Sequence, residues 1–205
     1  MPAKPFTVLF VCSGNTCRSP MAQGLLRRML GPGQEIRVWS AGLSAVAGQP
    51  ASDNALQAMR EESVDLSGHR SLPLTLEMVR QADLVLTMSV RHKQAVLEMA
   101  PEFHDRIFTL REFAEEAQEQ SEQVEKQPGE PRQRRLPGLD IMDPFGQSLA
   151  VYRRTAQEIK ELLERTLPRI RQLAAGESRQ EAPPRVESRS TKEPDGPAPP
   201  QQGTR

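Results

Sequence analysis

Two cysteines, one tryptophan and one tyrosine are all that the 205 residues contain of those types, and each shortage excludes something. Cys12 and Cys17 lie five positions apart in one short stretch, so a framework of structural disulfides is ruled out and the value of these thiols is chemical. No stretch approaches the roughly 18 consecutive apolar residues that a membrane-spanning helix requires, and no membrane partner is expected. The chain opens with Pro2, Lys4 and Pro5 leading straight into a strand pattern, with no basic segment followed by an apolar one, so the expected location is the cytoplasm. Charge of one sign is also missing: 27 Lys and Arg stand against 27 Asp and Glu. Nothing global therefore attracts nucleic acid, and any anion site must be local. His69, His92 and His104 show no ligand spacing, and no metal or cofactor is expected.

What remains is a patterned domain with two compositional breaks. Residues 176–205 lack aromatics, and Pro183, Pro184, Pro194, Pro197, Pro199 and Pro200 interrupt mixed charge; such a segment cannot bury enough apolar surface to offset its ordering entropy, and a disordered tail is expected. The stretch "AQEQSEQVEKQPGEPRQRRLPG", 117–138, reads as a polar helix extension passing into a Pro-, Gly- and Arg-rich insertion. Residues 1–175 otherwise alternate strand and helix patterns. Strands are expected at 6–11, 36–39, within "ADLVLTM" and at "RIFTL", with helices near 21–30, 51–62, 75–81, 90–99 and 111–125. A last helix carries Val151, Tyr152, Thr155, Ile159, Leu162, Leu163, Ile170 and Leu173 on one side and is expected to bend near Pro168. Alternation of this kind predicts an α/β fold, a parallel sheet covered on both faces, with ligands beyond the carboxyl ends of the strands.

One such end carries "VLFVCSGNTCRSPMAQGLL", residues 8–26. Cys12 closes the strand, Ser19 suits a helix N-cap and Pro20 the first helical position, so Ser13 to Arg18 form a turn with backbone N–H groups facing inward. The stretch lacks the Gly-Lys-Ser/Thr ending of a Walker A loop. It instead sets a thiol on the floor of an anion cradle and a guanidinium at its rim, an arrangement suited to nucleophilic attack on phosphorus. A cysteine at a strand end is commonly just a small buried hydrophobe, but that reading leaves Arg18 and the Gly14-Asn15 turn without a purpose.

Cys12 and Arg18 match a Cys-x5-Arg signature, and "VCSGNTCRSPMA" near the start with "DPFG" at 143–146 resembles the low-molecular-weight protein tyrosine phosphatases. The likeness runs from about Phe6 to Leu173 and takes in "SAG" at Ser40, "HRS" at His69 and "ADLVLTM". It implies a three-layer αβα fold around a four-stranded parallel sheet and a phosphatase without cofactor acting on phosphorylated protein side chains. It also implies roles: Cys12 as nucleophile, Arg18 as phosphate clamp, Asn15 and Ser19 as loop-ordering residues, Asp143 as general acid. Ser13, Gly14, Thr16, Cys17 and Phe145 complete the phosphate and substrate site. Reaction then proceeds by attack of Cys12 on phosphorus, protonation of the leaving atom by Asp143, and hydrolysis of the cysteinyl-phosphate.

Thr16 stands where tyrosine-specific members usually carry a bulky aliphatic residue, and "CSGNTCRSP" with "DPFG" is similar to the protein-arginine-phosphatase branch. A hydroxyl on the pocket wall tolerates a polar guanidinium, whereas an aliphatic branch favours a phenyl ring. Phosphoarginine is thus the expected substrate and phosphotyrosine the alternative. Two other functions fit less well: an arsenate reductase needs further cysteines beyond Cys17, and a non-catalytic phosphoprotein-binding module would have lost Cys12 or Asp143. Cys17 has two readings, a bystander or a thiol that captures oxidised Cys12. Asp143 taken alone would be a turn residue before Pro144. Trp39 and Phe108 read as core. Arg132, Arg134 and Arg135 read as a solvated loop, with substrate docking as the alternative.

Overall fold

The computed structural model describes residues 4–33, 35–123 and 138–176. Central to it is a parallel four-stranded sheet made of β1 (Phe6–Cys12), β2 (Ile36–Gly42), β3 (Leu84–Thr87) and β4 (Ile107–Thr109), ordered β2-β1-β3-β4. Among the described residues six α-helices accompany it: α1 (Arg18–Leu30), α2 (Asp53–Glu61), α3 (Leu76–Gln81), α4 (Val90–Met99), α5 (Leu110–Gln123) and α6 (Leu149–Ala175). The expected alternation of strands and helices is therefore present. A short 3-10 helix, Pro101–Arg106, opens with a proline and was not visible in the hydrophobic periodicity. Helix α6 continues through Pro168.

Side chains of β1 alternate between two cores because successive residues of a strand point to opposite faces. Val8, Phe10 and Cys12 enter the core that holds Met21, Leu25, Phe113 and Ile159, from α1, α5 and α6. Leu9 and Val11 enter the other, with Val79, Val96 and Ile107. Val8 to Val11 are all 0% exposed, and burial of such side chains is worth roughly 1.5–3 kcal/mol each. The end of β1 is thereby firmly anchored, and Cys12 is its last residue. Trp39 and Phe108 are only partly buried, each packed on the margin of a core.

One expectation falls differently. Helix α1 begins at Arg18, with Cys17 in the cap position and no side-chain cap bond, so Ser19 and Pro20 lie inside its first turn and Ser19 is not the cap. The Ser19 hydroxyl is drawn to the sulfur of Cys12 instead. The tail reading concerns residues outside the described ones from 177 onward, as do most of the insertion and Arg132, Arg134 and Arg135.

β2 extends past the expected Trp39 to Gly42, which lies opposite Cys12 in register. A Cβ at Gly42 would come 2.5 Å from the Ser13 carbonyl oxygen and 2.8 Å from the Asn15 nitrogen, both backbone atoms that cannot swing aside. Overpacking of this kind costs about 1–3 kcal/mol. Gly42→Ala is expected to lower the melting temperature and to cut kcat/KM at least tenfold by displacing the 13–15 backbone; thermal melts and initial rates with wild-type values for both would contradict the close packing.

Candidate active site

Residues 12–18 leave β1, turn, and enter α1. Their carbonyls are engaged on the outside of the turn: Cys12 O accepts from Leu43 N–H (3.0 Å), Ser13 O from Ser44 N–H (2.9 Å), Thr16 O from Ser52 N–H (2.9 Å) and Cys17 O from Met21 N–H (3.2 Å). Asn15 O accepts from His69 Nε2–H at 2.7 Å. In a trans peptide the C=O and N–H point opposite ways. The N–H groups of Ser13, Gly14, Thr16, Cys17 and Arg18 are therefore turned inward, which makes the concave anion site expected from the sequence.

Asn15 holds this shape. Its φ of 54° is in the left-handed region, where asparagine is better tolerated than most side chains. The amide is fully used: Nδ2 donates to Ser19 Oγ (2.9 Å) and Ser40 Oγ (2.9 Å), while Oδ1 accepts from Leu72 N–H (2.8 Å). Ser40 passes its own proton to Gln23 Oε1 at 2.7 Å. Asn15, Ser19 and Ser40 are all buried, so removing the amide would leave hydroxyls and an N–H without partners.

Cys12 Sγ lies at the centre of the turn, 3.0 Å from Ser19 Oγ and 3.3 Å from Asn15 N. Ser19 Oγ already accepts from Asn15, which leaves its proton for a neighbour, and the sulfur is nearer than Ala41 O at 3.4 Å. Burial pushes the Cys12 thiol up, and it acts against the Ser19 hydroxyl, the Ser19 and Asn15 N–H groups and the Arg18 charge, all of which favour the sulfur anion. Both cysteines are free thiols. Cys17 Sγ sits among hydroxyls, 3.3 Å from Tyr152 Oη, 3.5 Å from Ser52 Oγ and 3.6 Å from Thr16 Oγ1. Burial first, and then the contact with Cys17, push the Tyr152 hydroxyl up to about 12.

Arg18 and Asp143, 125 positions apart, meet over the thiol: Nη2 lies 2.5 Å from Asp143 Oδ2. Nη1 donates to Ile141 O at 3.2 Å. The Arg18 side chain is 6% exposed and that of Asp143 47%, so the carboxylate stands at the mouth of the pocket and the guanidinium inside. Arg18 Nε is buried with no partner among the described residues. A phosphoryl oxygen would accept from Nε and Nη2 together, the two-pronged geometry that guanidinium offers. The pocket has a volume of about 220 Å³ and is lined by Cys12, Ser13, Gly14, Thr16, Cys17, Arg18, Ser44, Asp143 and Phe145. Every expected site residue is thus either in the wall or, for Asn15 and Ser19, directly behind it.

His69 and His92, which show no ligand spacing in the sequence, both support the turn. His69 holds the Asn15 carbonyl, and the buried His92 places Nε2 2.9 Å from Ser13 Oγ. Scattered histidines carry no spacing signal; "SAG" and "HRS" did mark Ser40 and His69, without saying what they touch. Ser44 and Leu72 act through backbone N–H groups, which no side-chain pattern discloses.

Residues 7–133 match the low molecular weight phosphotyrosine protein phosphatase family. A protein-arginine-phosphatase of Bacillus subtilis (strain 168) is 34% identical over 165 residues, 80% of this chain and 96% of that one. A probable low molecular weight protein-tyrosine-phosphatase, EpsP, of Ralstonia nicotianae is 35% identical over 167 residues, 82% of this chain and 97% of that one. Among solved structures, the arginine phosphatase YwlE, as a cysteine-to-serine mutant with a phosphorylated active-site serine, superposes with a TM-score of 0.64 at 33% identity, covering 86% of this chain and 98% of that one. With the αβα fold, the Cys-x5-Arg turn and these relatives in agreement, the chain belongs to the low molecular weight phosphotyrosine protein phosphatase family and is a cysteine-dependent protein phosphatase.

Proposed function

We propose that this phosphatase hydrolyses phosphoarginine in proteins, with Cys12 as nucleophile, Arg18 as phosphate clamp and Asp143 as general acid and base. The observation that carries the reading is the lining of the pocket: Thr16 supplies a small polar surface and Asp143 a half-exposed carboxylate at the mouth. A departing guanidine needs a proton on nitrogen and then leaves as a cation, so one carboxylate serves it both as proton donor and as counter-charge. The arginine phosphatase of B. subtilis and its YwlE counterpart support this substrate. Phosphotyrosine is the second reading, favoured by Phe145, whose exposed ring beside the pocket offers a stacking surface for a phenyl group, and by the EpsP relative.

In the first step the incoming phosphoryl group displaces the Asp143 carboxylate from Arg18 and occupies the inward N–H groups. Beside the bound phosphoryl dianion the displaced carboxylate of Asp143 takes up a proton from solvent; the sulfur anion of Cys12 attacks phosphorus, the S–P bond forms, the P–N bond breaks, and Asp143 delivers that proton to the leaving nitrogen. Water then attacks the cysteinyl-phosphate, Asp143 takes its proton, and the S–P bond breaks to release inorganic phosphate and restore the sulfur anion. Charge on the equatorial oxygens is met throughout by Arg18 and the turn. The phosphorylated serine of the YwlE mutant supports a covalent intermediate at this position. A reduced thiol is required at every turnover, which suits a cytoplasmic setting.

His92 orders one further donor. Ser89 Oγ accepts from His92 backbone N–H (3.2 Å) and lies 2.9 Å from Nδ1. Its remaining proton goes to Nδ1, so Nε2 carries the hydrogen and donates to Ser13 Oγ. Ser13 also meets Arg18 Nη2 at 3.5 Å, and its own proton is left to face the pocket. This order needs a neutral ring. Burial, and after it the Arg18 charge, lower His92 from 6.5 to about 4, with Arg91 adding to the effect and Asp143 and Asp140 opposing it.

Three outcomes check these assignments. Thr16→Ile is expected to shift the ratio of kcat/KM from phosphoarginine toward phosphotyrosine by about 10- to 200-fold while leaving inhibition by phosphate near wild-type; equal losses on both substrates would remove the phosphoarginine reading. Asp143→Asn is expected to lower kcat by roughly 10²- to 10⁴-fold for poor leaving groups and less for activated aryl phosphates, and a uniform loss along such a series would show that Asp143 is not the acid. For His92, the folded protein binds fewer protons than the unfolded chain between pH 6.5 and about 4, so stability falls as pH falls through that window. His92→Gln should flatten the decline in melting temperature from pH 7 to pH 5, with His69, also lowered by burial, keeping part of it; parallel declines in the two proteins would mean that His92 is not held neutral.

A further inference from the structure

Behind the phosphate turn, on the side away from the pocket mouth, lies a second and larger hollow of about 920 Å³. Its walls come from α1, β2, the 64–72 loop and α3, and the active-site pocket shares none of its lining residues. Three of its residues, Ser40, His69 and Leu72, are the partners of Asn15: Ser40 Oγ and Leu72 N–H bond its side chain and His69 bonds its carbonyl. The one side chain that fixes the catalytic turn is thus held by the inner wall of this groove.

The groove also has a definite chemical character. Val64, Leu66, Met78 and the ring of Trp39 give it apolar sides, and the Leu72 side chain is 50% exposed there although its N–H is engaged with Asn15. Arg27 donates to Val38 O and Arg70 to the carbonyls of Ser67 and His69, and neither has a carboxylate partner among the described residues. The two acids of the groove are already occupied, Asp65 by Ser67 N–H and Oγ, and Glu77 by Gln81 Nε2. Two guanidinium groups and two carboxylates thus line the groove, and the cations prevail at its inner wall, beside His69. The fields of Arg70 and Arg27 reach the inner wall, where they join burial in lowering His69. An apolar cleft whose inner wall carries two guanidinium groups without a carboxylate partner among the described residues is complementary to a flat body carrying an anionic group.

We propose that this groove is a binding site for a small amphipathic organic anion, an aromatic or similarly flat body bearing a carboxylate, sulfonate or phosphate, and that its occupancy changes oxyanion affinity at the active site through Asn15. The anionic group pairs with Arg27 and Arg70, and the flat body lies against Trp39 and Leu72. Any shift of Leu72, His69 or Ser40 is transmitted to the amide and carbonyl of Asn15, hence to the N–H groups around Cys12. Coupling of two sites is reciprocal, so active-site phosphate must alter groove affinity by the same factor. The coupling rests on the phosphatase reading of the 12–18 turn, whereas binding in the groove does not.

Trp39 makes the binding directly observable, since it is the single tryptophan of the chain and lines the groove. The probe is 1-anilinonaphthalene-8-sulfonate, added to the full-length folded protein, with energy transfer from Trp39 as the signal. Transfer is expected to saturate, to persist at saturating phosphate with a shifted dissociation constant, and to weaken about tenfold in Arg27→Met and in Arg70→Met, the scale of one charge-assisted hydrogen bond. Leu72→Glu, a change at an exposed side chain that keeps the N–H to Asn15, is expected to abolish it while the fold remains intact by circular dichroism. The inhibition constant of phosphate should move by the same factor when the probe is bound. Probe fully displaced by phosphate in simple competition would place it in the active site and overturn the groove. Binding unchanged in all three variants would do the same, and binding without a shift in the phosphate constant would overturn the coupling.

Discussion

Every feature of the site depends on a backbone constraint: five of the six peptides between Cys12 and Arg18 must turn their carbonyls outward so that their N–H groups line one concave turn around the Cys12 sulfur. Such a turn is unfavourable by itself, because it crowds like dipoles together and leaves polar groups to be satisfied on both sides. The outer side is satisfied by Leu43, Ser44, Ser52, Met21 and His69, drawn from four different parts of the chain. The inner side is satisfied partly by Cys12 Sγ and is otherwise reserved for a phosphoryl group. Asn15 joins the two, since its left-handed backbone makes the corner and its amide ties the corner to β2 and to the 71–72 segment. The fold serves this constraint by ending a buried central strand at Cys12 and by leaving no room for a side chain at Gly42.

Arg18 and Asp143 add the electrostatic half. A guanidinium as deeply buried as this one needs a counter-charge, and the cost of leaving it alone exceeds what an exposed ion pair would return. Asp143 provides that charge. In the proposed reaction a phosphoryl group takes the place of the carboxylate on Arg18, reaching Nε as well as Nη2, and frees Asp143 for proton transfer. One exchange of anions thus positions the substrate and releases the acid.

Much of this was legible in the sequence because it is local. β1, the turn and α1 follow one another within "VLFVCSGNTCRSPMAQGLL", and the alternation of strand and helix patterns predicted the parallel sheet. That Arg18 and Asp143 belong to one site was expected only through resemblance, since no periodicity links positions 125 apart, and their ion pair was not expected at all. Ser19 was misread as a cap because Ser-Pro is a good helix start in isolation; a sulfur 3.0 Å away competes for its hydroxyl once the turn has formed. His69 and His92 were passed over because their partners are a carbonyl and a serine hydroxyl brought close by the sheet, which spacing along the chain does not encode. The groove behind the turn was likewise invisible, being assembled from four separated segments.

The central claim is that phosphoryl groups pass through a covalent bond to Cys12. It is tested most directly by mixing the enzyme with an arginine-phosphorylated protein, quenching within a turnover, and mapping the phosphoryl mass increment by peptide mass spectrometry. The account predicts the increment on the peptide containing Cys12, appearing before inorganic phosphate and decaying as phosphate is released. A phosphoryl group found on another residue, or full phosphate release with no labelled Cys12 at any quench time, would contradict it.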